Sequence, residues 1–304
     1  MNRTLRQAEL AAVAKTRGQR REINVAGAST AFWFYPALNQ KKKSTALVMI
    51  HGYRGNHHGL EAIAGSFTEL DVYIPDLPGF GQSEALSTEH SIENYGKWLD
   101  GFISSLSLKS KPHLLGHSFG SIVVSAYAAK FSGIKTLILE NPVAAPALKG
   151  PKAVTTLVAK AFFWLAAVLT EPLGTALLKS KAMVRGMSVI MTKSRVQELR
   201  RWIHAQHDAN FNDFANRRVA LEAYDASISN CVSDFAANIE VPVLMLIGDR
   251  DDITTVKQQE QLFNLLDSNS AQMVSFAGVG HLTHYEIPEA IALAVEEWIG
   301  EKNA

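Results

Sequence analysis

Residues 112–130 read PHLLGHSFGSIVVSAYAAK: a short apolar run, then Gly116-His117-Ser118-Phe119-Gly120, then small and apolar residues with helical spacing. The pentapeptide has the form Gly-x-Ser-x-Gly. In a chain of 304 residues with ordinary Gly and Ser usage, that form arises by chance about one time in ten, so alone it decides little. Its context decides more. A strand that turns directly into a helix crowds its own backbone, which calls for small residues on either side of the serine. Such a turn holds Ser118 in a strained conformation with its hydroxyl presented as a nucleophile. The amide of Phe119 then lies at a helix N-terminus, aimed where an oxyanion would form.

A serine hydroxyl needs a positioned base at neutral pH. His281 is the candidate, in Gly278-Val279-Gly280-His281 just after the last predicted strand; His284, further into that loop and without the glycine pair, is the rival. The base in turn needs a carboxylate to hold its tautomer. Ile247-Gly248-Asp249-Arg250-Asp251-Asp252 ends an apolar run and offers three acids. Asp251 is the choice, because the first acid after Gly248 is commonly spent on the turn. Glu140, at the end of an earlier strand, is the second candidate. The other oxyanion donor is the Tyr53 amide in His51-Gly52-Tyr53-Arg54-Gly55, which directly follows the apolar run ALVMI. Histidines 51, 57 and 58 cluster there. With no acidic partner noted beside them they read as loop packing, and neither a metal nor a cofactor is expected. Residues 75–83, PDLPGFGQS, form a third Gly/Pro-rich loop, read as structural because it lacks the lysine of a phosphate-binding loop.

Short apolar runs at 22–25, 31–35, 46–50, 72–74, 113–115, 136–139, 241–247 and 272–276 predict strands. Helical patterns at 60–70, 92–106, 119–131, 256–266 and 288–299 alternate with them. That alternation predicts an α/β fold with a mostly parallel central sheet flanked by helices. From 143 to 232 no convincing strand is found, so a helical insertion is expected there. The division is then a basic N-terminal arm at 1–21, a core at 22–142 and 233–304, and a lid at 143–232.

Composition narrows the function. Apolar residues make up 47% and charged residues 19% of the chain, enough for a large core. Thirty Lys+Arg against 29 Asp+Glu do not suit a nucleic-acid binder. A single cysteine, Cys231, excludes an internal disulfide and fits a reducing, cytoplasmic setting. The first 21 residues hold six basic side chains and one acid but no apolar signal core, so they read as a solvated helix packed on the domain. Residues 153–170, AVTTLVAKAFFWLAAVLT, approach the length of a membrane span. Lys160 at the middle, with Pro172 and Gly174 following, favours a buried or pocket-lining helix instead. The insertion carries twelve Lys/Arg and six Asp/Glu. A solvated helix face is the simpler reading of this excess; attraction to an anionic substrate or an acidic membrane surface is the alternative.

HGYRG, PDLPGFGQS, GHSFG, GDRDD and GVGH followed by YEIPE together resemble the α/β-hydrolase superfamily in content, order and strand context. The resemblance covers about 46–143 and 235–299. It implies Ser118 as nucleophile, Asp251 as acid, His281 as base, Tyr53 and Phe119 amides as oxyanion hole, and a lid in the insertion. The chain order Ser, Asp, His is also the order typical of that fold. The serine at the elbow sets the chain apart from dehalogenase-like and epoxide-hydrolase-like members, which carry Asp there. The expected function is a serine esterase or lipase-like hydrolase acting on a small, apolar ester. C–C bond hydrolase, perhydrolase, acyltransferase and a catalytically silent binding protein remain alternatives.

Overall fold

A computed structural model describes residues 5–39, 45–146, 153–267 and 269–303. Arg3 of the basic arm and the stretch 147–152 of the insertion lie outside them. Among the described residues, eight strands form one sheet: β1 Gln19–Val25, β2 Ala28–Tyr35, β3 Thr45–Ile50, β4 Leu70–Pro75, β5 His113–His117, β6 Leu137–Glu140, β7 Val243–Gly248 and β8 Ala271–Phe276. Their order is β1-β2-β4-β3-β5-β6-β7-β8, antiparallel at β1/β2 and β2/β4 and parallel from β4 onward.

The apolar runs are continuous because both faces of the sheet are covered. Leu47 and Met49 of β3 pack on one side, Val48 and Ile50 on the other. In β7, Leu244 and Leu246 join the first side, and Val243, Met245 and Ile247 the second. The first side is closed by helices α1 (Arg6–Arg17), α2 (Glu61–Ser66) and α12 (Pro288–Asn303), through Ala14, Ile63, Ile291 and Val295. The second is closed by α3 (Ile92–Ser105), α4 (Phe119–Ala128) and α10 (Val256–Phe263), through Trp98, Phe102, Ile122 and Leu262. Ser91 caps α3 by accepting from the Asn94 amide, and Thr255 and Gln258 form a capping box on α10.

The strand ends of the parallel region converge on one edge, where the loops after β3, β5, β6, β7 and β8 meet. Above it, between β6 and β7, stand α5 (Ala153–Val168), α6 (Glu171–Leu178), α7 (Lys181–Met191), α8 (Gln197–Asn210) and α9 (Arg217–Ser229). Helix α11 (Thr283–Glu286) follows β8. The predicted elements differ from these mainly at their ends. Strand β1 begins at Gln19, inside the stretch assigned to the basic arm. It is an edge strand with Gln19–Glu22 exposed, so it shows no apolar alternation, and its charges guard the open edge. The predicted helix 60–70 is a 3₁₀ turn, His57–Leu60, followed by the short α2, because β4 already begins at Leu70. Helix α5 is only half the buried helix expected. Phe163 and Ala166 face inward, whereas Leu157, Trp164, Leu165 and Val168 are exposed. Among the described residues no helix is long and apolar enough to cross a membrane.

Candidate active site

Ser118 sits between β5 and α4 at φ 51° and ψ −118°, a left-handed conformation that a residue with a Cβ rarely adopts. Two glycines make the turn feasible. A Cβ on Gly116 would lie 2.5 Å from the Gly120 carbonyl oxygen, and one on Gly120 would lie 2.3 Å from that of Ile50. Replacing Gly120 by alanine must therefore push α4 off β3, at an expected cost of about 3 kcal/mol. Gly186, in the middle of α7 with nothing within 4 Å of its would-be Cβ, supplies the contrast. Gly186→Ala is expected to stabilise by about 0.5–1 kcal/mol. Urea unfolding of both variants checks the pair, and equal effects would refute the packing account.

The Nε2 of His281 lies 2.8 Å from Ser118 Oγ, and its Nδ1 lies 2.8 Å from Asp251 Oδ2. One tautomer satisfies both contacts: Nδ1–H donates to the carboxylate while Nε2 accepts from the serine hydroxyl. Asp251 is itself held on every side. Its Oδ1 accepts from the amides of Ile253 at 2.6 Å and Thr254 at 3.2 Å, and Oδ2 accepts from Asn141 Nδ2 at 3.2 Å. The neighbouring acids are spent elsewhere. Asp249 accepts from the Gly278 amide at 2.7 Å, closing the turn against the histidine loop, and Asp252 pairs with Lys193.

Neither rival's side chain hydrogen-bonds to this line. His284 points its Nδ1 at Glu140, 3.4 Å away, and Glu140 is fully buried, accepting from the Thr283 hydroxyl. Asn141, the residue after Glu140, was not singled out from the sequence. It adopts φ 44°, and its Nδ2 also donates to the Gly280 carbonyl at 2.8 Å, joining the loops after β6, β7 and β8. Asn tolerates the left-handed region better than most residues, but an Asn-Pro pair after a strand carries no more specific signal.

The loop after β3 brings Tyr53 beside the elbow, its ring 6.3 Å from that of Phe119. Among the described residues, no acceptor is found for the Tyr53 and Phe119 amide hydrogens. Arg54, at φ 62° and buried, fastens this loop to the helices above. Its guanidinium donates to the carbonyls of Phe211 at 3.1 Å and Leu178 at 2.6 Å, and to Asn212 Oδ1 at 2.5 Å. Sequence reading missed it, because those partners are more than 120 residues away. The Tyr53 hydroxyl donates to the Ala220 carbonyl at 2.7 Å, and its ring packs with Phe80, Phe163 and Tyr224. The loop beside the elbow is thus packed among aromatic rings.

His51 ties two loops together, its Nδ1–H donating to the Gly52 carbonyl and its Nε2 accepting from the Leu77 amide, both at 2.9 Å. Asp76 accepts from the His57 amide and imidazole and from the Gln82 amide. The absence of an acid near these histidines does not hold: the turn into α2 brings Glu61 within 3.0 Å of His58. Lys15 of α1 stands 3.6 Å from the same carboxylate.

A sequence model of the alpha/beta hydrolase fold matches residues 45–288. The chain belongs to this family. Lipase 3 of Moraxella sp. (strain TA144) is 23% identical over 263 residues, covering 82% of this chain and 76% of its own length. Lipase 1 of Psychrobacter immobilis is 26% identical over 267 residues, covering 82% and 75%. The solved structure of a thermophilic esterase from Thermogutta terrifontis superposes with a TM-score of 0.73 at 21% identity, over 94% of this chain and 100% of that one.

This chain buries several histidines, and two of them, His113 and His207, give a pH dependence that can be worked out. Burial lowers His207 of α8 from 6.5 to about 3 and His113 of β5 from 6.5 to about 4. Each keeps one hydroxyl partner, Ser188 at 2.7 Å and Thr136 at 2.6 Å, and leaves Nε2 unpaired. Below pH 6.5 the unfolded chain takes up protons that the folded chain refuses, so stability falls with acidification until the folded values are reached. At about 1.4 kcal/mol per pH unit for each group, the two together cost about 3 kcal/mol per unit between roughly pH 6 and 4. Urea unfolding at stepped pH measures the slope. His113→Gln and His207→Gln should each reduce the slope by about 1.4 kcal/mol per pH unit, and an unchanged slope in both would refute the assignment.

Proposed function

We propose that this alpha/beta hydrolase cleaves the carboxylic ester of an apolar substrate through an acyl-enzyme intermediate on Ser118. The observation that carries this reading is the unbroken hydrogen-bonded line Ser118–His281–Asp251, at 2.8 Å in both links, with the serine in a strained turn at the N-terminus of α4. The lipases among the relatives support ester hydrolysis as the reaction class.

In this mechanism His281 Nε2 takes the Ser118 proton as Oγ attacks the ester carbonyl. The Tyr53 and Phe119 amides hold the oxyanion. The imidazolium, stabilised by Asp251, returns the proton to the departing alkoxide, which leaves as alcohol. Water, deprotonated by the same nitrogen, then attacks the acyl carbonyl, and collapse of the second tetrahedral species frees the acid and restores the serine. The helices at 143–232 act as the lid over a core of 22–142 and 233–304. Tyr53, Phe163 and Tyr224 supply its apolar wall, the last two stacked with ring centroids 3.5 Å apart. A panel of p-nitrophenyl esters is expected to favour acyl chains long enough to reach that wall.

The test is covalent. A fluorophosphonate probe should label the intact chain once, and peptide mass spectrometry should place the adduct on Ser118. Absence of labelling, with the chain folded, overturns the serine-nucleophile reading and leaves the hydrolase-like binding protein. Labelling without turnover of esters, but with turnover of thioesters or vinylogous diketones, redirects the substrate class and keeps the nucleophile.

A further inference from the structure

Directly behind the Ser118–His281 pair lies a second cluster that the proposed chemistry does not use. His117 ends β5, Glu140 ends β6, and His284 belongs to α11. All three are buried, at 5%, 0% and 4% exposure. Their polar atoms converge. Glu140 Oε2 lies 3.6 Å from His117 Nδ1, Glu140 Oε1 lies 3.4 Å from His284 Nδ1, and one ligand atom from each lies within 4.8 Å of the others. The imidazole rings of His117 and His284 are 4.1 Å apart.

Three of the atoms facing one another, His117 Nδ1, His284 Nδ1 and Glu140 Oε2, have no hydrogen-bond partner. Leaving a buried polar group unpaired costs about 1–3 kcal/mol, and more for a charged one. Three orphans meeting at one point need a common partner. A neutral imidazole carries its proton on either nitrogen, so each ring can turn an Nδ1 lone pair toward a shared cation. Among the described residues, no lysine or arginine pairs with Glu140.

We propose that His117, Glu140 and His284 form a binding site for a divalent transition-metal ion, with Zn²⁺ as the best fit. Two imidazole nitrogens and one carboxylate oxygen are a donor set that zinc accepts. At bond lengths of about 2.0–2.2 Å, tetrahedral ligand atoms stand about 3.4 Å apart, close to the 3.6 and 3.4 Å from each histidine to its nearer Glu140 oxygen, with the whole set inside 4.8 Å. Thr283 supplies the outer support such a site uses, its hydroxyl donating to Glu140 Oε1 and so orienting the carboxylate. The other group of this kind, His57, His58 and Glu61, is a weaker match. His57 Nδ1 is already engaged by Asp76, and Glu61 already has Lys15 as a cation neighbour.

The ion would fasten the segment carrying the nucleophile to the one carrying the histidine. His117 precedes Ser118 directly, and His284 follows His281 by three residues. Because the cluster is closed, loading accompanies folding.

The experiment uses the full, untagged chain, refolded with equimolar Zn²⁺ or Co²⁺ and exchanged into metal-free buffer. Wild type and His58→Gln should retain about one zinc per chain by elemental analysis. His284→Gln and Glu140→Gln should retain less than about a tenth of that, with unchanged far-ultraviolet dichroism. The Co²⁺-refolded wild type should show the visible d–d bands of a four-coordinate nitrogen/oxygen site, a readout that needs no variant to fold. No retained zinc and no cobalt bands in wild type would overturn the proposal and leave a water-bridged polar cluster. Loss of the metal in His58→Gln alone would overturn it in favour of the Glu61 group.

Discussion

Ser118→Ala should lower kcat for p-nitrophenyl butyrate by about 10⁶-fold and leave KM within about threefold, as expected when the nucleophile of a cooperating triad is removed. The hydroxyl is the only atom lost. Alanine occupies the same backbone position, at φ 51°, with no more strain than serine, and the Ser118 amide keeps its bond to the Glu140 carbonyl at 3.1 Å. The Phe119 amide stays at the start of α4, so the proposed oxyanion donors survive. The variant should still exceed the uncatalysed rate by about 10³–10⁴, the contribution of binding and oxyanion stabilisation alone. Initial rates with active-site titration of the wild type measure the loss. A decrease of less than a hundredfold, in a variant as stable as wild type, would remove Ser118 from the mechanism. Such a loss would point instead to a water activated directly by His281.

The elements that carry this geometry differ in how clearly their sequence announces them. Strands β3, β5, β6 and β7 are buried on both faces, and continuous apolar runs such as ALVMI leave little else for them to be. Ser118 and Asp251 stand out as candidates because each follows such a run closely, and His281 because its loop follows β8, all three beside glycines that only a tight turn explains. Strand β1 and the extent of α2 are not readable in that way, since an exposed charged edge and a 3₁₀ turn have no apolar period. The outward face of α5 misleads for the opposite reason. Its apolar residues look buried by composition, yet Trp164 and Leu165 are exposed. Asn141 and Arg54 were invisible because their importance lies in partners remote along the chain, Asp251 and Gly280 for one and Leu178 and Phe211 for the other. Burial and convergence, not residue type, distinguish them. The same holds for His117 and His284, ordinary histidines until β5, β6 and α11 set them around Glu140.

Asp251→Asn should reduce kcat by about 10⁴-fold with little change in KM, the loss expected when the base is left in the wrong tautomer. The surroundings of Asp251 leave an asparagine no good orientation. If its carbonyl oxygen takes the place of Oδ1, it satisfies the Ile253 and Thr254 amides, but its NH₂ then faces His281 Nδ1 and Asn141 Nδ2. His281 must accept at Nδ1 and carry its proton on Nε2, toward Ser118, where it cannot act as base. In the flipped orientation the NH₂ meets two backbone N–H donors, at contacts that were 2.6 Å and 3.2 Å to the carboxylate. That arrangement costs stability as well as rate. Glu140→Gln decides between the two acids the sequence offered. Glu140 reaches the histidine loop only through Thr283 and His284, so its neutralisation is expected to cost less than about tenfold in kcat. Measured side by side on one ester, a 10⁴-fold loss in Glu140→Gln and a small one in Asp251→Asn would reverse the assignment, making Asp251 a turn residue and Glu140 the partner of the base.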